Sequence, residues 1–124
     1  MVKDRKPNLK GANLARCILA MSSDEIRDSK KRLIRWTVTE GTAESYDSKI
    51  KEIKIFAEIL GKSPVSFNTI ELFLVASEKD GYSASVGVTS ACAWKFLRKL
   101  EGMPKLSLSK AERIQVMLDG WEYR

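Results

Sequence analysis

The chain has 124 residues, of which 44% are hydrophobic and 31% charged, a composition that suits one globular domain with its own core and excludes a disordered or fibrous chain. Lys and Arg number 22 against 16 Asp and Glu, a formal charge of +6 that favours polyanionic partners such as nucleic acid. The longest unbroken apolar runs, at 17–21 and 72–76, fall far short of the ~20 residues of a membrane-spanning helix, so no membrane role is implied.

Cys17 and Cys92 stand far apart, without the close spacing of a zinc or redox motif, and read as two buried free thiols. No metal and no other cofactor is expected. Met1 is followed by Lys3, Arg5 and Lys6 but then by Pro7 and polar residues, which is not the pattern of a signal peptide. The expected setting is intracellular, in the cytoplasm or the nucleoid or nucleus, wherever a target DNA lies.

Residues 1–11 combine charges with Pro7, Asn8 and Gly11 and show no periodicity. With the short apolar stretch that follows, they read as a basic flexible arm or leader over 1–21, ahead of a helical domain over 22–124. Ser22-Ser23-Asp24-Glu25 has the spacing of a capping box and predicts a helix over 23–37, with Ile26, Leu33 and Ile34 inward. Thr42 is placed to cap a second helix, where Tyr46, Ile50, Ile53, Ala57 and Leu60 recur at spacings of four and three; Phe56 widens the stripe and Gly61 ends it.

Ser66 or Asn68 can cap a third helix, which runs to about Lys79 and breaks at Asp80-Gly81. Its apolar residues, among them Ile70, Leu72, Phe73 and Leu74, go nearly all round, the pattern of a buried central helix. A fourth helix is predicted over 84–100, with Val86, Ser90, Ala93, Leu97 and Leu100 in one row and Trp94 and Phe96 beside it; Gly102 and Pro104 close it. A fifth, over 109–121, turns Ala111, Ile114, Met117 and Leu118 to one side. No segment alternates as a strand does, so the expected fold class is all-α, a compact bundle of four to five helices. Charge is polarised along the chain: residues 1–41 hold ten basic and five acidic residues, whereas 63–82 hold Lys79 against Glu71, Glu78 and Asp80. That distribution turns the third helix away from any DNA.

Four groups of residues thread these helices in order: Thr42 with Tyr46, Ile50, Ile53 and Phe56; Ile70-Glu71-Leu72-Phe73-Leu74; Asp80-Gly81-Tyr82-Ser83-Ala84-Ser85; and Ala93-Trp94-Lys95-Phe96-Leu97-Arg98. Residues 42–102 thereby resemble the core-binding domain of the tyrosine recombinases, the phage-integrase family. Ser23-Asp24-Glu25-Ile26-Arg27 and the segment 109–121 suit the extra first helix and the linking fifth helix of a Cre-like arrangement, so the resemblance covers about four fifths of the chain. Where the family usually has Thr-Ile at the start of the fourth helix, this sequence reads Val86-Gly87 or Ser85-Val86.

The resemblance implies a SAM-like core-binding domain that grips double-stranded DNA with its second and fourth helices in the major groove. A separate C-terminal catalytic domain of the same recombinase would carry out strand exchange, with a homo-oligomer on the DNA as a further implied partner. Carried onto this sequence, the second helix offers Ser45, Ser48, Lys49, Lys51 and Lys54; short hydroxyls allow close approach and lysines neutralise phosphates. Asp47, Glu52 and Glu58 interleave with them, as on an ordinary solvated face. On the fourth helix, Ser83, Ser85 and Thr89 lie at the N-terminal end, which suits a phosphate, and Lys95, Arg98 and Lys99 extend the basic surface. Arg98 can read a guanine edge bidentately, or can pack its stem over Trp94. Trp94 is expected in the core, and Trp36 and Trp121 at its edge or at a contact between subunits or domains.

The chemistry of that family needs an Arg, Lys, His, Arg and Tyr set, and this sequence has no histidine. It also leaves no room after Tyr123 for a catalytic domain, so the chain is expected to be non-catalytic, a fragment or a catalytically emptied relative, with Tyr123 a chain-end aromatic. Two other readings stand beside this one: a helical protein-interaction domain whose charges serve solubility, and a small helix-turn-helix regulator, for which no short helix pair with a central turn glycine stands out.

Overall fold

The computed structural model describes residues 7–123, with side chains from residue 11 onward; the first six residues of the expected arm lie outside the described residues. Six helices and no strand occur among the described residues, the all-α class expected: α1 Pro7–Leu19, α2 Ser23–Arg35, α3 Glu40–Leu60, α4 Phe67–Lys79, α5 Ala84–Leu100 and α6 Leu108–Glu122. They fall into two compact units that part between Ile34 and Arg35.

In the first unit, α1 forms where the sequence shows no periodicity. Pro7 stands at the first helical position, where its missing N–H costs no hydrogen bond, and an interior Gly11 costs only about 1 kcal/mol. Every described side chain of α1 is exposed, which corrects the expectation that Cys17 is buried. The capping box of α2 is present: the Ser22 N–H donates to Glu25 Oε1 at 2.8 Å and the Glu25 N–H to Ser22 Oγ at 3.1 Å. Ile26 and Ile34 are half-buried, but Leu33, expected inward, is 60% exposed. No residue of α2 is buried, so its apolar stripe lacks the covering that a closed core would supply.

The second unit holds the core. α3 starts earlier than predicted: Thr39, in extended backbone, caps it by accepting from the Thr42 N–H at 3.2 Å, so Thr42 is inside the helix rather than its cap. Ser66 is the cap of α4, accepting from the Thr69 N–H at 3.2 Å. α3, α4 and α5 end alike. Gly61, Gly81 and Gly102 take positive φ, and the N–H after each reaches back five residues, from Lys62 to Ala57, Tyr82 to Ser77 and Met103 to Arg98, at 2.9–3.1 Å. A side chain with a Cβ adopts that left-handed backbone at a cost, and glycine does not.

α5, not α4, is the central helix: both pack against the other three helices of the unit, but α5 does so more extensively. Its buried residues are Gly87, Ser90, Ala91, Ala93, Trp94, Phe96 and Leu97, whereas α4 buries one face and leaves Val75 exposed. The small residues of α5 let its neighbours cover more of its circumference than the bulkier ones of α4 allow. Ile53, Ile70, Phe73, Leu74, Ala91, Trp94, Ile114 and Leu118 form the cluster at the centre, with Phe56 edge-on to Phe73 at 5.2 Å. Leu60, predicted in the α3 stripe, is 46% exposed at the last turn. Buried Ser77 and Ser90 donate to the carbonyls one turn back, Phe73 and Val86, each at 2.8 Å, so neither hydroxyl is left unmet.

Gly87 lies where α6 closes on α5. A Cβ there would overlap the Trp121 ring and sit 3.0 Å from Leu118 Cδ2, so α6 closes on α5 through the space a side chain would fill. Gly87→Ala is expected to lower stability by about 1–3 kcal/mol in thermal or denaturant unfolding. Most of that cost should vanish when Trp121→Ala is already present; an equal cost in both backgrounds would show that the Trp121 contact is not its source.

Candidate nucleic-acid interface

The two helices expected to face DNA differ in charge. α3 carries Glu40, Glu44, Asp47, Glu52 and Glu58 against Lys49, Lys51 and Lys54; α5 carries Lys95, Arg98 and Lys99 and no acidic residue. On α3 the predicted residues do not gather on one strip. At about 100° per residue, Ser48 lies opposite the buried stripe, Ser45 and Lys49 lie toward one edge, and Lys51 and Lys54 toward the other, among Asp47 and Glu58. Ser45, Ser48, Lys51 and Lys54 are exposed; Lys49 is half-buried and pairs with Glu52 at 3.2 Å. Asp47 is held by Arg35 at 2.6 Å, with Glu40 at 3.9 Å from the same guanidinium. The hydrogen bond to Asp47 raises the Arg35 pKa further, so the guanidinium stays charged. Such exposed pairs add little stability, but they remove part of the lysine field that a phosphate would feel.

On α5 the arrangement is more coherent. Ser85, Val88, Cys92, Lys95 and Lys99 share one outward strip with Thr89 at its edge, because the buried residues occupy the other sides of the helix. Lys95 and Lys99 are exposed and make no ion pair with described residues. Ser83 stands at the cap position, yet its side chain caps no amide; its Oγ pairs with Ser85 Oγ at 2.9 Å instead. Thr89 is half-buried and donates to the Ser85 carbonyl at 3.2 Å, so its hydroxyl is turned back on its own helix. Cys92, expected to be buried, is half-buried on this strip.

Arg98 has the structural role that the sequence allowed. Its Nη1 donates to the Val65 carbonyl at 2.8 Å and its Nη2 to the Pro104 carbonyl at 3.0 Å, with Cζ 5.1 Å from the centre of the Trp94 ring. Two charge-assisted bonds to loop carbonyls and a cation–π contact hold the guanidinium within the fold. Trp94 is wholly enclosed, its indole N–H donating to the Pro64 carbonyl at 3.1 Å. Trp121 is half-buried against Gly87 and Trp36 is exposed.

α3 meets α5 at Tyr46, whose ring lies 5.3 Å from Phe96 and whose phenol neighbours Cys92. Burial raises the Tyr46 pKa above its ordinary value of 10.0, and Cys92 adds to the shift. Sequence reasoning placed Tyr46 in the apolar stripe; its junction role depends on a helix crossing that brings together Tyr46 and Phe96, 50 residues apart in the chain, for which no local spacing is a signal.

Arg98→Lys is expected to lower unfolding stability by about 1–3 kcal/mol, since an ammonium cannot reach two carbonyls and stack at once. If instead stability holds while duplex binding falls, Arg98 acts on DNA rather than on the fold. For Tyr46, the raised pKa means that its contribution to stability is intact below pH 10 and declines as pH rises above it, because the unfolded chain ionises first. Tyr46→Phe should therefore flatten the alkaline end of the stability profile; an unchanged slope would place that loss elsewhere. Among the described residues no group of three or more His, Cys, Asp or Glu is placed to hold a metal ion, and no helix is long and apolar enough to cross a membrane. Comparison with known proteins finds no matching family model, no matching curated protein and no matching solved structure.

Proposed function

We propose that this chain is a non-catalytic DNA-binding domain that grips duplex phosphates with the outward strip of α5 and the adjoining edge of α3. The observation that carries the reading is the strip itself: Ser85, Lys95 and Lys99 in line on a helix without a carboxylate, with Thr89 beside them. Lysines without ion-pair partners among the described residues release counterions when they meet phosphate, and short serines let a helix sit close to the backbone. On α3, Ser45 is exposed but Lys49 is half-buried and paired with Glu52, and Lys51 and Lys54 are exposed among acidic residues, so these four contribute less than the α5 strip. The resemblance to the core-binding domain of tyrosine recombinases supplies the finer form of the reading. In that form a separate catalytic domain of the same recombinase provides the nucleophile, and copies of the domain assemble on the DNA.

A second reading, a protein-interaction domain, is favoured by one observation: Ile55 and Ile59 on α3 are 53% and 78% exposed. A salt series with a DNA duplex separates the two. The DNA reading expects affinity to fall steeply with salt, and Lys95→Ala with Lys99→Ala to reduce the slope of log K against log salt by about 1 for each lysine removed. Lys51→Ala with Lys54→Ala should change it less. Absence of duplex binding at low salt would overturn the DNA reading and leave the apolar α3 face as the better guide.

A further inference from the structure

Where α5 ends and the chain turns toward α6, Lys95, Arg98, Lys99 and Lys105 converge on a cavity of about 250 Å³. Met103, Pro104 and Leu106 give it an apolar side, and no carboxylate is among the described residues that line it. Glu101, in the same turn, does not line it. Arg98 is a rigid wall, fixed by the Val65 and Pro104 carbonyls and by Trp94; Lys95, Lys99 and Lys105 pair with no described carboxylate. Four like charges around one small volume repel one another, and an anion placed among them relieves that repulsion.

The size and the apolar side narrow the ligand. The cavity is below the roughly 300–1,000 Å³ of drug-sized sites, so it suits one ring system with one anionic group. A thioether and a proline ring offer a surface for a flat aromatic group, and methionine sulfur contacts aromatic edges favourably. Inorganic phosphate alone would leave that surface in water.

We propose that this cavity binds a single nucleotide unit, its phosphate among Lys95, Lys99 and Lys105 and its base against Met103, Pro104 and Leu106. The same chemistry comes from two sources, a free mononucleotide or an unpaired terminal nucleotide of a DNA strand. The inference does not depend on duplex binding, because a mononucleotide tests it without any duplex.

The test is a titration of the full chain, followed by amide chemical shifts, with AMP, adenosine and inorganic phosphate in parallel. AMP should shift the amides of residues 103–106 saturably, with adenosine and phosphate each weaker by about tenfold or more, since each keeps half of the contacts. Lys105→Glu should weaken AMP by about tenfold, as loss of a charged contact does. Met103→Ser should weaken AMP and leave the phosphate shifts unchanged. Both side chains are exposed, so neither change disturbs the core. No saturable shift with AMP, phosphate equal to AMP, or AMP affinity unchanged in both variants would each overturn the proposal. A duplex with a one-nucleotide overhang competing better than the same duplex blunt-ended identifies the strand end as the source; equal competition, or none from either, identifies the free nucleotide.

Discussion

Trp94 is completely enclosed in the second unit, and an indole can be enclosed only if its N–H finds an acceptor inside the protein. The acceptor is the Pro64 carbonyl, in the turn between α3 and α4, 30 residues away in the chain. One turn further along α5, Arg98 takes the neighbouring Val65 carbonyl and, on its other side, the Pro104 carbonyl in the turn before α6. Two consecutive side chains of one helix face therefore tie α5 to both of the loops beside it. That ties the rotation of α5 about its own axis, and everything on its outer surface follows.

The other half of the same constraint is close packing. Gly87, Ser90, Ala91 and Ala93 let α3, α4 and α6 approach α5 nearly to its backbone, and at Gly87 the Trp121 ring takes the place of a side chain. With so much of its circumference buried, α5 keeps one narrow outward strip, and that strip holds serine, valine, threonine, cysteine and lysine but no acid. Burial on three sides thus sorts the sequence of α5 so that Lys95 and Lys99 face water together, while Arg98, one residue from Lys99, serves the fold. The charge that points to a polyanion is concentrated by packing.

α3 illustrates the opposite outcome. Its lysines fall on two edges of a face that also carries Asp47, Glu52, Glu58 and the exposed Ile55 and Ile59, and two of those acids are occupied by Arg35 and Lys49. A face that is near neutral and partly apolar is a poor match to a phosphate backbone, whose attraction scales with uncompensated cations. The proposed interface therefore leans on α5 and on the edge of α3 that adjoins it through Tyr46 and Phe96.

Much of the architecture was legible from the order of residues. The bounds of α4 and α5, the breaks at Gly61, Gly81 and Gly102, the capping box of α2 and the buried rows of α5 and α6 all depend on interactions within four or five residues, and such interactions leave their spacing in the sequence. What tertiary structure decided lies at longer range. Thr39 rather than Thr42 caps α3, α5 rather than α4 is central, Leu33 and Leu60 stay exposed, Arg98 is held by distant carbonyls, and the lysines of α5 and of the following turn close on one cavity. A single helix can announce which of its residues are apolar or charged. Which face is covered, and which cations are then left facing solvent, depends on the helices that arrive to pack against it.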